Sequence, residues 1–146
     1  MMNRHGTRNS RSPSLAVRSR HKKALFMPLS RTAADELVLP VRIAFERIRR
    51  GAGDRAAAVC MAEILLLTGF LTEGGFGLLD SSFLDETEKQ LLSVLTRDSG
   101  GETHFAVELV EALGDVVNEY DRLMRETRLQ AIVEANESFA KLRPST

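Results

Sequence analysis

From Ala56 to Leu71 almost every side chain is apolar, with Glu63 and Thr68 the main exceptions, and the run closes on Thr72-Glu-Gly-Gly-Phe-Gly77. A helix that is apolar on every side belongs inside a bundle, because no single face of it could be given to water. About 18 residues at 1.5 Å each span roughly 27 Å, which suits the middle of a small domain. A bilayer crossing needs about 20 mainly apolar residues. Arg55 and Glu63 interrupt this run and Gly69 weakens it, so no membrane span is expected.

The flanking sequence supplies the other helices. Thr32 reads as an N-cap with Asp35 three positions on, and Leu37, Val41, Ala44, Phe45 and Ile48 then share one face. Pro40 falls inside that run and predicts a kink, or a short turn followed by a fresh helix. Gly51 and Gly53 supply a stop, and Asp54 is a good cap for the apolar helix. Asp80-Ser-Ser82 opens a third helix with Leu84, Leu91, Leu92 and Leu95 on its buried side, and Asp98-Ser-Gly-Gly101 closes it.

The longest pattern runs from about Phe105 to Leu142. Leu109, Leu113, Val116, Tyr120 and Leu123 are spaced by alternating fours and threes, a heptad seam that Thr127 and Gln130 dilute. Gly114 lies within it and leaves room for a bend or break there. No strand-like alternation competes. The chain is therefore expected to be all-α: an antiparallel bundle of about four helices with a long C-terminal helix projecting past it.

The formal net charge is zero, but it is unevenly spread. Residues 1–26 hold seven Arg or Lys and no acid, leaving 13 basic against 20 acidic residues from Met27 onward. Few apolar groups occur before Met27, so residues 1–26 are expected to be a disordered basic tail, or a stretch upstream of a true start at Met27. Residues 27–146 read as one helical domain. The acidic body does not suit DNA; nucleic-acid contact, if made, falls to Arg4, Arg8, Arg11, Arg18, Arg20, Lys22 and Lys23 in a salt-dependent, sequence-indifferent way.

Catalytic patterns find little support. A carboxylate-bridged metal site in a bundle needs inward Glu residues with Glu-x-x-His spacing, and that spacing is absent. Glu108, Glu111, Asp115 and Glu119 form an acidic stripe beside the seam and read as solvated. The glycine cluster at 74–77 follows a helix, lacks the lysine of a phosphate loop and carries Glu73, so it reads as a turn. The one cysteine, Cys60, sits among Ala and Val and reads as a small buried hydrophobe in a reducing, cytoplasmic setting. The opening stretch has a helix, a glycine turn and a helix, but Ser81 to Leu95 presents Asp85, Glu86 and Glu88 where a reading helix would carry donors for bases and phosphates.

Leu65-Leu-Leu-Thr-Gly-Phe-Leu-Thr-Glu73 and Val116-Val-Asn-Glu-Tyr-Asp-Arg-Leu123 resemble a group of small all-helical bacterial proteins, some labelled Fis-type transcriptional regulators, over about residues 28–142. The resemblance implies a regulatory role. The chain departs from the Fis pattern at its end, where Glu134-Ala-Asn-Glu-Ser-Phe-Ala-Lys-Leu142 lacks a basic reading helix, so no DNA-contacting residue is carried over.

These readings favour a non-enzymatic helical interaction or regulatory module, with no cofactor, metal or small molecule. A protein partner or a second copy would be met through the last helix. The expected contact residues are Leu109, Leu113, Val116, Tyr120 and Leu123, continued by Ile132, Val133 and Phe139, with Asn118, Asp121 and Arg122 at the border. The competing expectation is that the seam packs only within its own bundle. The other class is a DNA-associated regulator, with the basic arm supplying affinity.

Overall fold

The computed structural model describes residues 23–97 and 103–142. The described chain is all-α, and its five long helices pack as a bundle: α1 (Arg31–Arg49), α2 (Arg55–Glu73), α3 (Ser81–Arg97), α4 (Val107–Glu126) and α5 (Leu129–Leu142). Of the expected disordered tail, residues 1–22 lie outside the described residues. Lys23 to Leu25 form a helical turn that continues to Phe26, whose N–H donates to the Lys23 carbonyl at 3.1 Å.

Helix α1 starts earlier than the Thr32 cap predicts, because the Ser30 side chain accepts from the Ala33 N–H at 3.1 Å. It also runs unbroken through Pro40. The donor that proline lacks would have met the Glu36 carbonyl. Both residues lie on the exposed side, open to solvent, while Val38 and Val41 hold the helix to the core. Its inward stripe is Ala34, Val38, Val41 and Ile48, with Phe45 packed beside it; Leu37 is exposed instead.

Helices α1 and α2 end alike. Gly51 and Gly75 take φ of 81° and 91°, and the residue after each donates back five positions, Ala52 to Arg47 at 2.8 Å and Phe76 to Leu71 at 2.9 Å. This left-handed cap satisfies carbonyls that the helix leaves open, and glycine adopts it without a Cβ clash. Asp54 caps α2 by accepting from the Ala57 N–H at 2.9 Å.

Helix α2 is central, packing against each of the other four helices. Ala57, Ala58, Met61, Ile64, Leu65, Thr68 and Leu71 are buried. The enclosure is incomplete, since Val59 is exposed and Leu66, Leu67 and Phe70 are half-buried. By length and composition alone α2 would be apolar enough to cross a membrane. Helix α3 turns Leu84, Thr87, Leu91 and Val94 inward; Leu92 is exposed, and the buried Thr87 hydroxyl donates to the Phe83 carbonyl at 2.8 Å.

The single long last helix is replaced by two. Helix α4 stops at Thr127, which is buried and extended, and the Leu129 N–H donates to the Met27 carbonyl at 2.9 Å beside a bridge between Pro28 and Arg128. Pairing with residues 27–28 thus forms the corner, and α5 packs against α2. Gly114, which left room for a bend or break, lies inside a continuous α4. A Cβ there would stand 3.2 Å from the Phe45 ring, so glycine permits close approach of α1 and α4.

Candidate interaction surface

The heptad seam is core. Leu109, Leu113, Val116, Tyr120 and Leu123 are all buried, and α1, α2 and α3 all pack on the helix that carries them. A partner cannot reach these five without opening the bundle, so the contact face expected from them is corrected. Ile132 is likewise buried. Val133 is exposed and Phe139 half-buried on α5. The seam is covered by α1, α2 and α3 of the same chain, while α5 returns onto α2 rather than projecting.

The basic residues assigned to nucleic-acid contact fall mostly beyond view. Arg4, Arg8, Arg11, Arg18, Arg20 and Lys22 lie outside the described residues; Lys23 is exposed at the start of its helical turn.

The three border residues of α4 enter two polar clusters. In the first, the Asp121 carboxylate accepts from Arg42 of α1 at 2.7 and 3.2 Å and from Arg125 at 2.6 Å. Arg42 also donates to Asn118 at 2.8 Å, and Arg125 pairs with Asp35 at 2.8 Å. Burial pulls the Asp121 carboxyl upward, but the hydrogen bonds from Arg42 and Arg125 outweigh it and hold the group below its ordinary value. Arg125 is raised in return by its bonds to Asp121 and then Asp35.

The second cluster centres on Glu119, which the sequence places in a solvated stripe. It is only 6% exposed. Its carboxylate accepts from the Leu78 N–H at 2.6 Å and from Arg122 at 2.9 Å, and Arg122 also donates to the Phe76 carbonyl at 3.2 Å. The Arg128 guanidinium stands 5.3 Å over the Phe76 ring. Burial raises the Glu119 carboxyl, and the bonds from Arg122 and the N–H groups of Leu78 and Leu79 bring it below the ordinary value. With its lone pairs engaged by these donors, this carboxylate fixes the loop after α2 rather than offering a base.

Among the faces the bundle leaves uncovered is the outer side of α1. Leu39 and Ile43, one turn apart, are 60% and 54% exposed. At about 100° per residue they point away from the stripe of Val38, Val41 and Ile48. Around them stand charged groups, most of them already paired within the chain. On one side are Asp35 and Arg42, tied to α4 as above; beyond them Glu46 accepts from both Arg49 and Arg50. On the other side Arg47 pairs with Asp54 at 2.5 Å. Glu46 is held down to about 2, chiefly by the hydrogen bond from Arg49. An apolar centre bordered by charges, most of them paired within the chain, is the layout of a contact surface with a polar rim. Sequence reading missed this pair because Leu39 and Ile43 alternate with inward residues in a run apolar on both sides; the i, i+4 spacing was its only signal.

Two shallow clefts flank His104. One of about 570 Å³ is lined by Lys89, Gln90, Ser93, Arg97 and Glu108 among others, and one of about 450 Å³ by Arg49, Thr103 and Glu111. His104 is exposed, and among the described residues no three His, Cys, Asp or Glu gather closely enough to hold a metal ion. Comparison with protein-family models, curated proteins and solved structures finds no match to this chain.

Proposed function

We propose that the chain is a non-enzymatic helical interaction module that binds another protein through the outer side of α1. The observation that carries this reading is the exposure of Leu39 and Ile43 on the side of the helix opposite its core stripe. Covering two large aliphatic side chains removes apolar surface from water at about 25 cal/mol per Å². The neighbouring Asp35, Arg42 and Glu46 have in-chain partners, so a partner does not have to supply theirs. Leu92 and Val107 each lack a second exposed large aliphatic residue one turn away on their helices, and Leu25, Phe26 and Met27, also exposed, lie in the short segment before α1 rather than along a long helix face.

The test compares the wild-type chain with a Leu39→Glu, Ile43→Glu variant as immobilised baits. The variant is expected to lose the proteins that the wild type retains while keeping its helix content by circular dichroism. Retention of the same proteins by both baits overturns the assignment of the face. A stoichiometric metal ion in the purified protein overturns the non-enzymatic part of the reading.

A second reading is carried by the seven basic, acid-free positions in residues 1–26. In it the tail adds sequence-indifferent contact with DNA and the bundle supplies the protein contact, a regulator's division of labour. Absence of binding to random-sequence duplex at low salt ends that reading.

A further inference from the structure

The outer side of α1 carries an order of charges that identifies an occupant. Glu36, Pro40, Ile43 and Arg47 are spaced by four, three and four residues and are all exposed, so they form one seam along the helix, with Leu39 beside it. An acid stands at the N-terminal end of this seam, a base at the C-terminal end, and apolar groups between.

We propose that the occupant is a second copy of this chain, docked antiparallel across a two-fold axis at the middle of the α1 seam. The proposal rests on α1 being the contact face. In that pairing Glu36 of one copy meets Arg47 of the other, twice over, and Pro40 meets Ile43 at the centre. A two-fold contact requires a patch complementary to itself, and this one is. A parallel pairing would set Glu36 against Glu36 and Arg47 against Arg47. Antiparallel helices also oppose their macrodipoles favourably.

Both charged ends are able to serve. Glu36 has no ion-pair partner among the described residues. Arg47 gives Asp54 only its Nη2, and a guanidinium has further N–H donors for a second carboxylate. Helix α1 is 19 residues long, about 28 Å, enough for the whole seam to lie against its copy.

The experiment is sedimentation equilibrium of the full chain between about 10 µM and about 1 mM, a range that captures weak dimers. The wild type is expected to dimerise with concentration, Ile43→Glu to stay monomeric, and Glu36→Arg and Arg47→Glu each to weaken the dimer about tenfold or more. An equimolar mixture of Glu36→Arg and Arg47→Glu should recover the dimer, because each copy then meets its opposite charge at both ends. Circular dichroism confirms that each variant is folded. A wild type monomeric throughout overturns the second copy as occupant, and the bait comparison above still judges the face. A dimer indifferent to Ile43→Glu, or a mixture that stays as weak as its components, overturns the pairing.

Discussion

Glu119 and Leu78 are joined by a 2.6 Å hydrogen bond in which the Leu78 N–H donates to the Glu119 carboxylate. The bond ties the loop after α2 to the middle of α4, and Arg122 repeats the tie by donating to the Phe76 carbonyl. Glu119→Ala removes the acceptor of that backbone N–H and the main partner of Arg122, whose other ion pair, to Glu126, is 3.7 Å long. That N–H is only part-buried, on a residue open to water, so losing its acceptor costs less than it would for a fully buried donor, about 1 kcal/mol. The expected outcome is a loss of that size in urea-unfolding free energy, with Glu119→Gln losing less because it keeps an acceptor oxygen.

Acid should unfold the protein through the same clusters. Glu119 and Asp121 titrate lower in the folded chain than their ordinary values of 4.5 and 3.8. The unfolded chain therefore takes up their protons first as pH falls. Their contribution is complete above those ordinary values and is lost as pH drops through them toward the folded-state values. The urea midpoint measured from pH 7 downward is expected to stay level until about pH 5 and then fall. A Glu119→Gln, Asp121→Asn variant should show a shallower fall.

The Cys60 thiol is pushed above its ordinary value, first by burial and then by the charge of Glu63. Half-buried against the core, it has little thiolate at neutral pH. Its reaction with a disulfide reagent at pH 7 is expected to be about tenfold or more slower in the native protein than in denaturant, since the thiolate is the reacting form. Equal rates would show that the site opens freely.

Legibility followed the range of the interactions. The spacing of Leu109, Leu113, Val116, Tyr120 and Leu123 marked a stripe that must be covered, though not whether a partner or the chain's own helices cover it, and Asp54, Gly51 and Gly75 marked a start and two stops, because each acts within a turn or two of its own position. The corner at Thr127 was not legible, since it depends on Met27, a hundred residues away in sequence, accepting from Leu129. Glu119 was misplaced for the same reason. It lies in register with Glu108, Glu111 and Asp115, all exposed, and only the loop from α2 distinguishes it from them. On α1 the seam was hidden by composition: Leu37, Val38, Leu39, Val41 and Ile43 are equally apolar, and only packing decides that Val38 and Val41 turn inward.

Pro40 offers the last prediction, and it separates stability from association. It lies in the interior of α1, where proline removes the bond to the Glu36 carbonyl and costs about 3 kcal/mol relative to alanine in an exposed helix. Helix α1 is continuous there, and Pro40 and Glu36 are both exposed, so solvent has access to this part of the helix. Pro40→Ala restores the hydrogen bond and is expected to raise the unfolding free energy by about 1–3 kcal/mol. It also removes ring atoms from the centre of the α1 seam. If that seam is the contact, the variant should be more stable to urea yet weaker in self-association, two shifts of opposite sign in one protein. A variant that gains stability with no loss of association would place Pro40 outside the contact.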